Sequence, residues 1–241
     1  MKENKKAGKI VRSELGTYAE PDWISTHPDG SLIENPQEVQ ENRLNFLTSD
    51  GYITDNTNIQ TYEIRGQIVS VSDALAINVH EPKMLRKIEK LDINQSKNFP
   101  DGLQCTMHSS HGQIDQDKTF WNVMACQCLP HTGLNHRPYP VTCYLPYKIP
   151  SLAQVPDLPI LEAIEFGTLF QNSAPTKDQS IHYFHSLTQT DNYIIVPLSS
   201  LLWSSIDIVR QTMNAEPLST ALDWDTDTLG WIIDTCDSSV Q

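Results

Sequence analysis

The chain has 241 residues, with 17 Lys plus Arg against 30 Asp plus Glu, a formal net charge of −13, and 39% hydrophobic residues. That composition excludes a collagen-like, coiled-coil or wholly disordered chain, and its apolar runs are too short for a transmembrane helix. A body this acidic repels phosphate backbones at long range, which argues against nonspecific nucleic-acid binding.

Residues 1–60 are polar and rich in turn signals, among them Pro28-Asp29-Gly30 and Ser49-Asp50-Gly51. They read as an N-terminal arm and wrapping segment. The basic start, with Lys2, Lys5, Lys6, Lys9 and Arg12, leads into no apolar stretch of the kind a secretory signal needs. The five cysteines are an odd number, and with no such signal the reading is cytoplasmic, with thiols free or metal-bound.

Residues 61–148 read as a β-rich core. Tyr62, Ile64, Gly66 and Ile68 alternate, and Ser72-Asp73 separates two β-branched runs, the pattern of a tight hairpin. Met84, Leu85, Ile88 and Leu91 recur at helical spacing behind Pro82, which predicts a helix over 82–92. Its opposite side carries Lys83, Arg86, Lys87 and Lys90. Leu103–Ser109, Thr119–Leu129 and Val141–Tyr147 have strand composition. In the middle run Trp121, Val123 and Ala125 alternate with Asn122, Met124, Cys126 and Cys128. The order strand–strand–helix–strand–strand–strand predicts a small antiparallel barrel of the oligonucleotide-binding type, in an α+β fold.

Residues 149–241 read as a mixed strand and helix segment packed on that core. Pro150, Pro156 and Pro159 mark a strap at its start. Ile181–Leu187 and Tyr193–Val196 read as paired strands, and Leu198–Met213 as a helix. The end is acidic: Glu216, Asp223, Asp225, Asp227, Asp234 and Asp237 face no Lys or Arg after Arg210.

Cys126, Cys128, His131 and His136 form Cys-x-Cys-x2-His-x4-His. Thiolate and imidazole are ligands zinc favours, so zinc is the metal this run would take. The plainer reading of two cysteines on a strand is burial as small side chains. His108-Ser109-Ser110-His111 and His182-Tyr183-Phe184-His185-Ser186-Leu187-Thr188 partly match paired His-x-Ser/Thr elements, making His108, His111 and His185 the catalytic candidates. The match fails where Leu187 stands in place of a hydroxyl. Trp121 and Tyr144 are the aromatics that could stack a ligand on an open barrel face.

No complete catalytic constellation emerges. The expected function is therefore a non-catalytic binding or assembly subunit with a protein partner, no membrane contact and no cofactor apart from the zinc considered above. The alternatives are a metal- or histidine-dependent hydrolase and a barrel that binds single-stranded nucleic acid.

Overall fold

The computed structural model describes residues 31–48, 60–73, 75–171, 180–190, 192–203, 222–224 and 231–234, together with His27 and Asp29. A helix, α1 (Pro36–Thr48), precedes a run of strands. The basic N-terminal arm, Cys236, Asp225, Asp227 and most of the helix expected over Leu198–Met213 lie outside the described residues.

The first sheet is an antiparallel meander of β1 (Gln60–Ile64), β2 (Gln67–Val71), β3 (Ala76–His80) and β4 (Lys87–Asp92), hydrogen-bonded in that order. The run from Tyr62 to Ile68 is not one alternating strand. Arg65 and Gly66 both hold positive φ, 53° and 72°, which reverses the chain in two residues between β1 and β2. The hairpin at Ser72-Asp73 is present, with Val69 opposite Val79.

The helix expected over 82–92 is absent. Glu81–Arg86 closes a turn, through Glu81 N–H to the Arg86 carbonyl (2.9 Å) and Leu85 N–H to the Glu81 carbonyl (2.8 Å). The chain then returns as β4 beside β3. All five residues of β3 are buried, and such a strand must satisfy both backbone edges. β4 supplies the second edge, and that requirement overrides the helical spacing.

The second sheet contains β5 (Leu103–His108), β6 (Gln113–Ile114), β7 (Phe120–Cys128), β8 (Val141–Ile149), β9 (Glu165–Phe166) and β10 (Phe170–Gln171). Its main path is β10-β8-β7-β5, with β6 on β7 and β9 on β8. A short helix, α2 (Ile160–Ala163), precedes β9. Two three-stranded sheets follow. One joins β11 (Ile181–His182), β14 (Leu201–Trp203) and β15 (Leu222–Trp224), and the other β12 (Thr188–Gln189), β13 (Tyr193–Val196) and β16 (Trp231–Asp234).

The fold is thus β-rich and antiparallel. Among the described residues no sheet closes on itself, so the expected barrel is replaced by stacked open sheets. The alternation read along β7 holds, but both of its faces are buried. Met124, Cys126 and Cys128 join a core with Val69, Val71 and Ile77 of the first sheet. Val123 and Ala125 join a second core with Ile181, Phe184, Ile194 and Val196 of the C-terminal sheets. The second sheet is the middle layer of the stack, and each fully buried aliphatic there contributes about 1.5–3 kcal/mol. That double burial removes the solvent-facing side a small barrel would keep.

Arg65 pins the strap after β8. Its guanidinium donates to the carbonyls of Pro150 (2.8 Å), Ser151 (3.3 Å), Val155 (2.7 Å) and Leu158 (2.8 Å).

Candidate functional site

Three segments meet where strands end. Asp73 lies in the turn after β2, Ser109–Gly112 follow β5, and Tyr183–Leu187 follow β11. They are fastened backbone to backbone. His108 N–H donates to the Asp73 carbonyl (3.0 Å) and His111 N–H to the His185 carbonyl (3.2 Å). His111 and Ser186 form an isolated parallel bridge. Side chains add to this. The Ser109 hydroxyl donates to the His185 carbonyl (2.9 Å), and the Gln113 amide to the Leu187 carbonyl (3.2 Å).

This zipper places the imidazoles of His111 and His185 edge to face, with ring centroids 4.8 Å apart. Both residues are half-exposed. Gly112 is tightly enclosed: a Cβ there would lie 2.5 Å from the Phe120 ring and 2.8 Å from the Trp121 carbonyl. The close approach of the backbone to Phe120 therefore fixes where His111 emerges.

Asp73 gathers the polar side chains. It accepts from the Ser110 hydroxyl and, on its other oxygen, from the Tyr183 hydroxyl at 3.1 Å. His185 Nδ1 lies 3.2 Å from Asp73 Oδ1 and 2.9 Å from the Tyr183 oxygen. One proton arrangement satisfies all four groups: Nδ1 carries the hydrogen and donates, while the Ser110 and Tyr183 hydroxyls donate to the carboxylate. The Nε2 lone pair of His185 is then left for a ligand.

Of the three catalytic candidates, His111 and His185 are brought together and His108 is not. His108 is fully buried, with Nδ1 2.8 Å from the Tyr147 hydroxyl. The paired His-x-Ser geometry expected of a phosphoesterase is therefore not formed. His182, also buried, sits 3.2 Å from the Ser199 carbonyl.

The Cys/His run does not build a metal site. Cys126 is disulfide-bonded to Cys105, and Cys128 packs its sulfur 2.8 Å from that of Cys143. All four cysteines point into the core, whereas His131 and His136 are exposed. Burial keeps the cysteines away from the loop imidazoles, so the expected zinc ligands do not converge. The Cys105–Cys126 bond corrects the expectation of thiols that are free or metal-bound for those two residues, while Cys128 and Cys143 remain thiols. Hydrogen bonding with Cys128 and burial push the Cys143 thiol upward. Among the described residues no group of three or more His, Cys, Asp or Glu is arranged to hold a metal.

Tyr144 has no open stacking face, and Trp121, half-buried, lines a cleft with Asp115, Lys148 and Glu165. The Trp121 indole donates to Asp115 (2.8 Å), and Lys148 Nζ lies over its ring, 5.5 Å from the centroid. Tyr144 is buried against Phe184, their rings 5.9 Å apart, and burial raises its hydroxyl pKa.

No helix among the described residues is long and apolar enough to cross a membrane. Asp73 and Tyr183 escaped the sequence reading as site residues. Their only signal was proximity to His185, and for Asp73 that proximity spans 112 positions.

No protein-family model matches the chain. The chain is 25% identical over 228 residues to the mitochondrial carotenoid-cleaving dioxygenase of Macaca fascicularis, covering 93% of the chain and 35% of that protein. It is 24% identical over 230 residues to the carotenoid isomerooxygenase of Galleria mellonella, covering 92% and 37%. The chain thus spans about a third of the length of the curated relatives it matches. A Synechocystis apocarotenoid oxygenase structure aligns with 96% of the chain and 39% of its own at 12% identity, with a TM-score of 0.46. The lignostilbene dioxygenase of Pseudomonas brassicacearum aligns with 96% of the chain and 36% of its own at 11% identity, with a TM-score of 0.48. Similarity to named oxygenases over nearly the whole chain overturns the expectation of a non-catalytic binding subunit, and it fits neither a hydrolase nor a nucleic-acid barrel.

Proposed function

We propose that the chain forms part of an oxygenase that cleaves a conjugated double bond with dioxygen. The reaction class comes from the relatives named above. The observation that carries the reading within this chain is the His111–His185 pair, with the Nδ1 of one imidazole occupied by Asp73 and Tyr183. A carboxylate behind a histidine is how metal-ligating imidazoles are held, because it fixes the ring and frees the other nitrogen.

The donor chemistry fits iron in part. Imidazole suits Fe(II), and iron oxygenase sites combine histidine donors with open positions. His111 and His185 would supply two donors, and further donors are needed to complete the sphere. Bound iron would supply the means to activate dioxygen.

The chain's own residues do the positioning. The zipper between 109–113 and 185–187 sets the spacing of the two rings. Asp73 holds the orientation and tautomer of His185. Tyr183 braces that carboxylate from the other side, and its ring stacks on Trp203 with centroids 6.2 Å apart. In the overall change one C=C bond and one O2 become two C=O bonds, so no other oxidant is required.

The test is incubation of the iron-loaded protein with an apocarotenoid under 18O2. The reading expects two carbonyl fragments, each carrying label from the gas. Intact polyene, or fragments labelled only from water, would overturn it.

A further inference from the structure

Four of the five cysteines stand together in one layer of the core. Cys126 of β7 is the register partner of Cys105 on β5 and of Cys143 on β8, so three sulfur-bearing residues line up across three strands. Cys128 follows Cys126 by two positions and shares its face. All four are buried in the apolar cluster between the first and second sheets.

The row is half oxidised. Cys105 and Cys126 are bonded, while Cys128 and Cys143 keep their thiols. The sulfurs of that second pair are 2.8 Å apart, so an approach of less than about 1 Å brings them to the roughly 2.05 Å of a disulfide. Cys128 faces Val141 in the ladder, which puts the pair on the diagonal between β7 and β8, at the end where the two strands are joined. The hydrogen bond with Cys128, together with burial, pushes the Cys143 thiol upward. That keeps its thiolate scarce and the pair slow to react in the closed fold.

We propose that Cys128 and Cys143 are a second disulfide site, closed reversibly by a small-molecule disulfide. The step moves two electrons. One cysteine attacks the oxidant as thiolate, breaking its sulfur–sulfur bond and releasing one small thiol. The other cysteine then attacks the mixed disulfide, forms the Cys128–Cys143 bond and displaces the second small thiol. Both cysteine protons end on the two released thiols, so the oxidant is reduced as the pair is oxidised. Both residues are fully buried, so the first attack goes through local opening of the hairpin end. The product staples β7 to β8 around the connection 129–142 and leaves the Cys105–Cys126 bond in place. The site stands independently of the oxygenase reading.

The experiment equilibrates the Cys236→Ser protein with oxidised and reduced glutathione, with and without urea below the unfolding midpoint. Acid quenching, peptic digestion without reductant and tandem mass spectrometry then map the bonds. The expected result is a Cys128–Cys143 cross-link that forms faster in urea and is lost when reduced glutathione is in excess. The melting temperature of the cross-linked form should be higher by roughly 5–10 °C, the scale for closing a loop of this length. The triple variant Cys105→Ala/Cys126→Ala/Cys236→Ser retains only this pair and should go from two reactive thiols to none. A cross-link between Cys126 and Cys143 overturns the proposal and assigns the row to internal exchange instead. Glutathione left on either thiol without a cross-link also overturns it. So does retention of both thiols after refolding from urea in the oxidising buffer, where access is no obstacle.

Discussion

Asp73 Oδ1 and His185 Nδ1 stand 3.2 Å apart although 112 positions separate them in the chain. The contact joins the first hairpin to the segment after β11, and it turns an ordinary surface imidazole into an oriented donor. Asp73→Asn keeps the shape of the side chain but loses the negative charge that the Ser110 and Tyr183 hydroxyls and the His185 Nδ1–H converge on. Iron affinity should fall about 10–100-fold, the usual effect of losing a partner behind a metal-bound histidine. Metal titration of wild type and variant checks this, with near-ultraviolet circular dichroism expected to be unchanged.

Gly112→Ala tests the packing behind His111. The added methyl meets the Phe120 ring and the Trp121 carbonyl, and overpacking of this kind costs about 1–3 kcal/mol. Urea denaturation should show the loss. The relieved backbone should also displace His111, so metal affinity falls with stability.

Arg65→Met removes all four donations to the strap carbonyls while keeping much of the side chain's bulk. Only the Pro150 and Ser151 bonds are buried, the other two being part-buried, and a buried acceptor left unmade costs about 1–3 kcal/mol, so a loss of about 2–3 kcal/mol is expected in equilibrium unfolding. Arg65→Lys should recover little of it, because an ammonium cannot span four carbonyls on two sides.

Asp92 gives a pH signature. Burial raises its carboxyl above the ordinary value, against a smaller lowering from the Asn94 N–H it accepts. The folded state therefore holds the proton more tightly than the unfolded chain. This group's contribution is most favourable in acid, and it is lost as pH rises through the folded pKa. Asp92→Asn retains the acceptor for Asn94 without the charge. Its melting temperature should exceed that of wild type at neutral pH, and the gap should close below about pH 4, near the unfolded carboxyl value.

Much of the fold was legible locally. The period-2 pattern of β7 sorted Val123 and Ala125 from Met124, Cys126 and Cys128 correctly, and the Ser72-Asp73 hairpin is in place. Failures arose where long-range pairing decided the outcome. Met84, Leu85 and Ile88 have helical spacing, yet β3 needed a backbone partner and took β4. The Arg65-Gly66 reversal hid inside an alternation that runs straight through it. β7 looked half-exposed because its pattern cannot reveal a second sheet packed on the far side. At the site, His111 and His185 were singled out as residue types, but the motif that suggested them also pulled in His108. The long-range contacts between 109–113 and 185–187, among them the His111 N–H to His185 carbonyl bond, show which histidines meet. Asp73 carried no signal of its own role, since nothing local to a turn aspartate announces a histidine 112 positions away.

Iron affinity, measured by titration of wild type, His111→Ala, His185→Ala and His136→Ala, tests the two-histidine site most directly. Wild type and the exposed-loop variant His136→Ala should bind alike, and the other two should bind at least about tenfold more weakly, no less than the loss of a partner behind a metal-bound histidine. Wild-type affinity in either His111→Ala or His185→Ala would contradict the site.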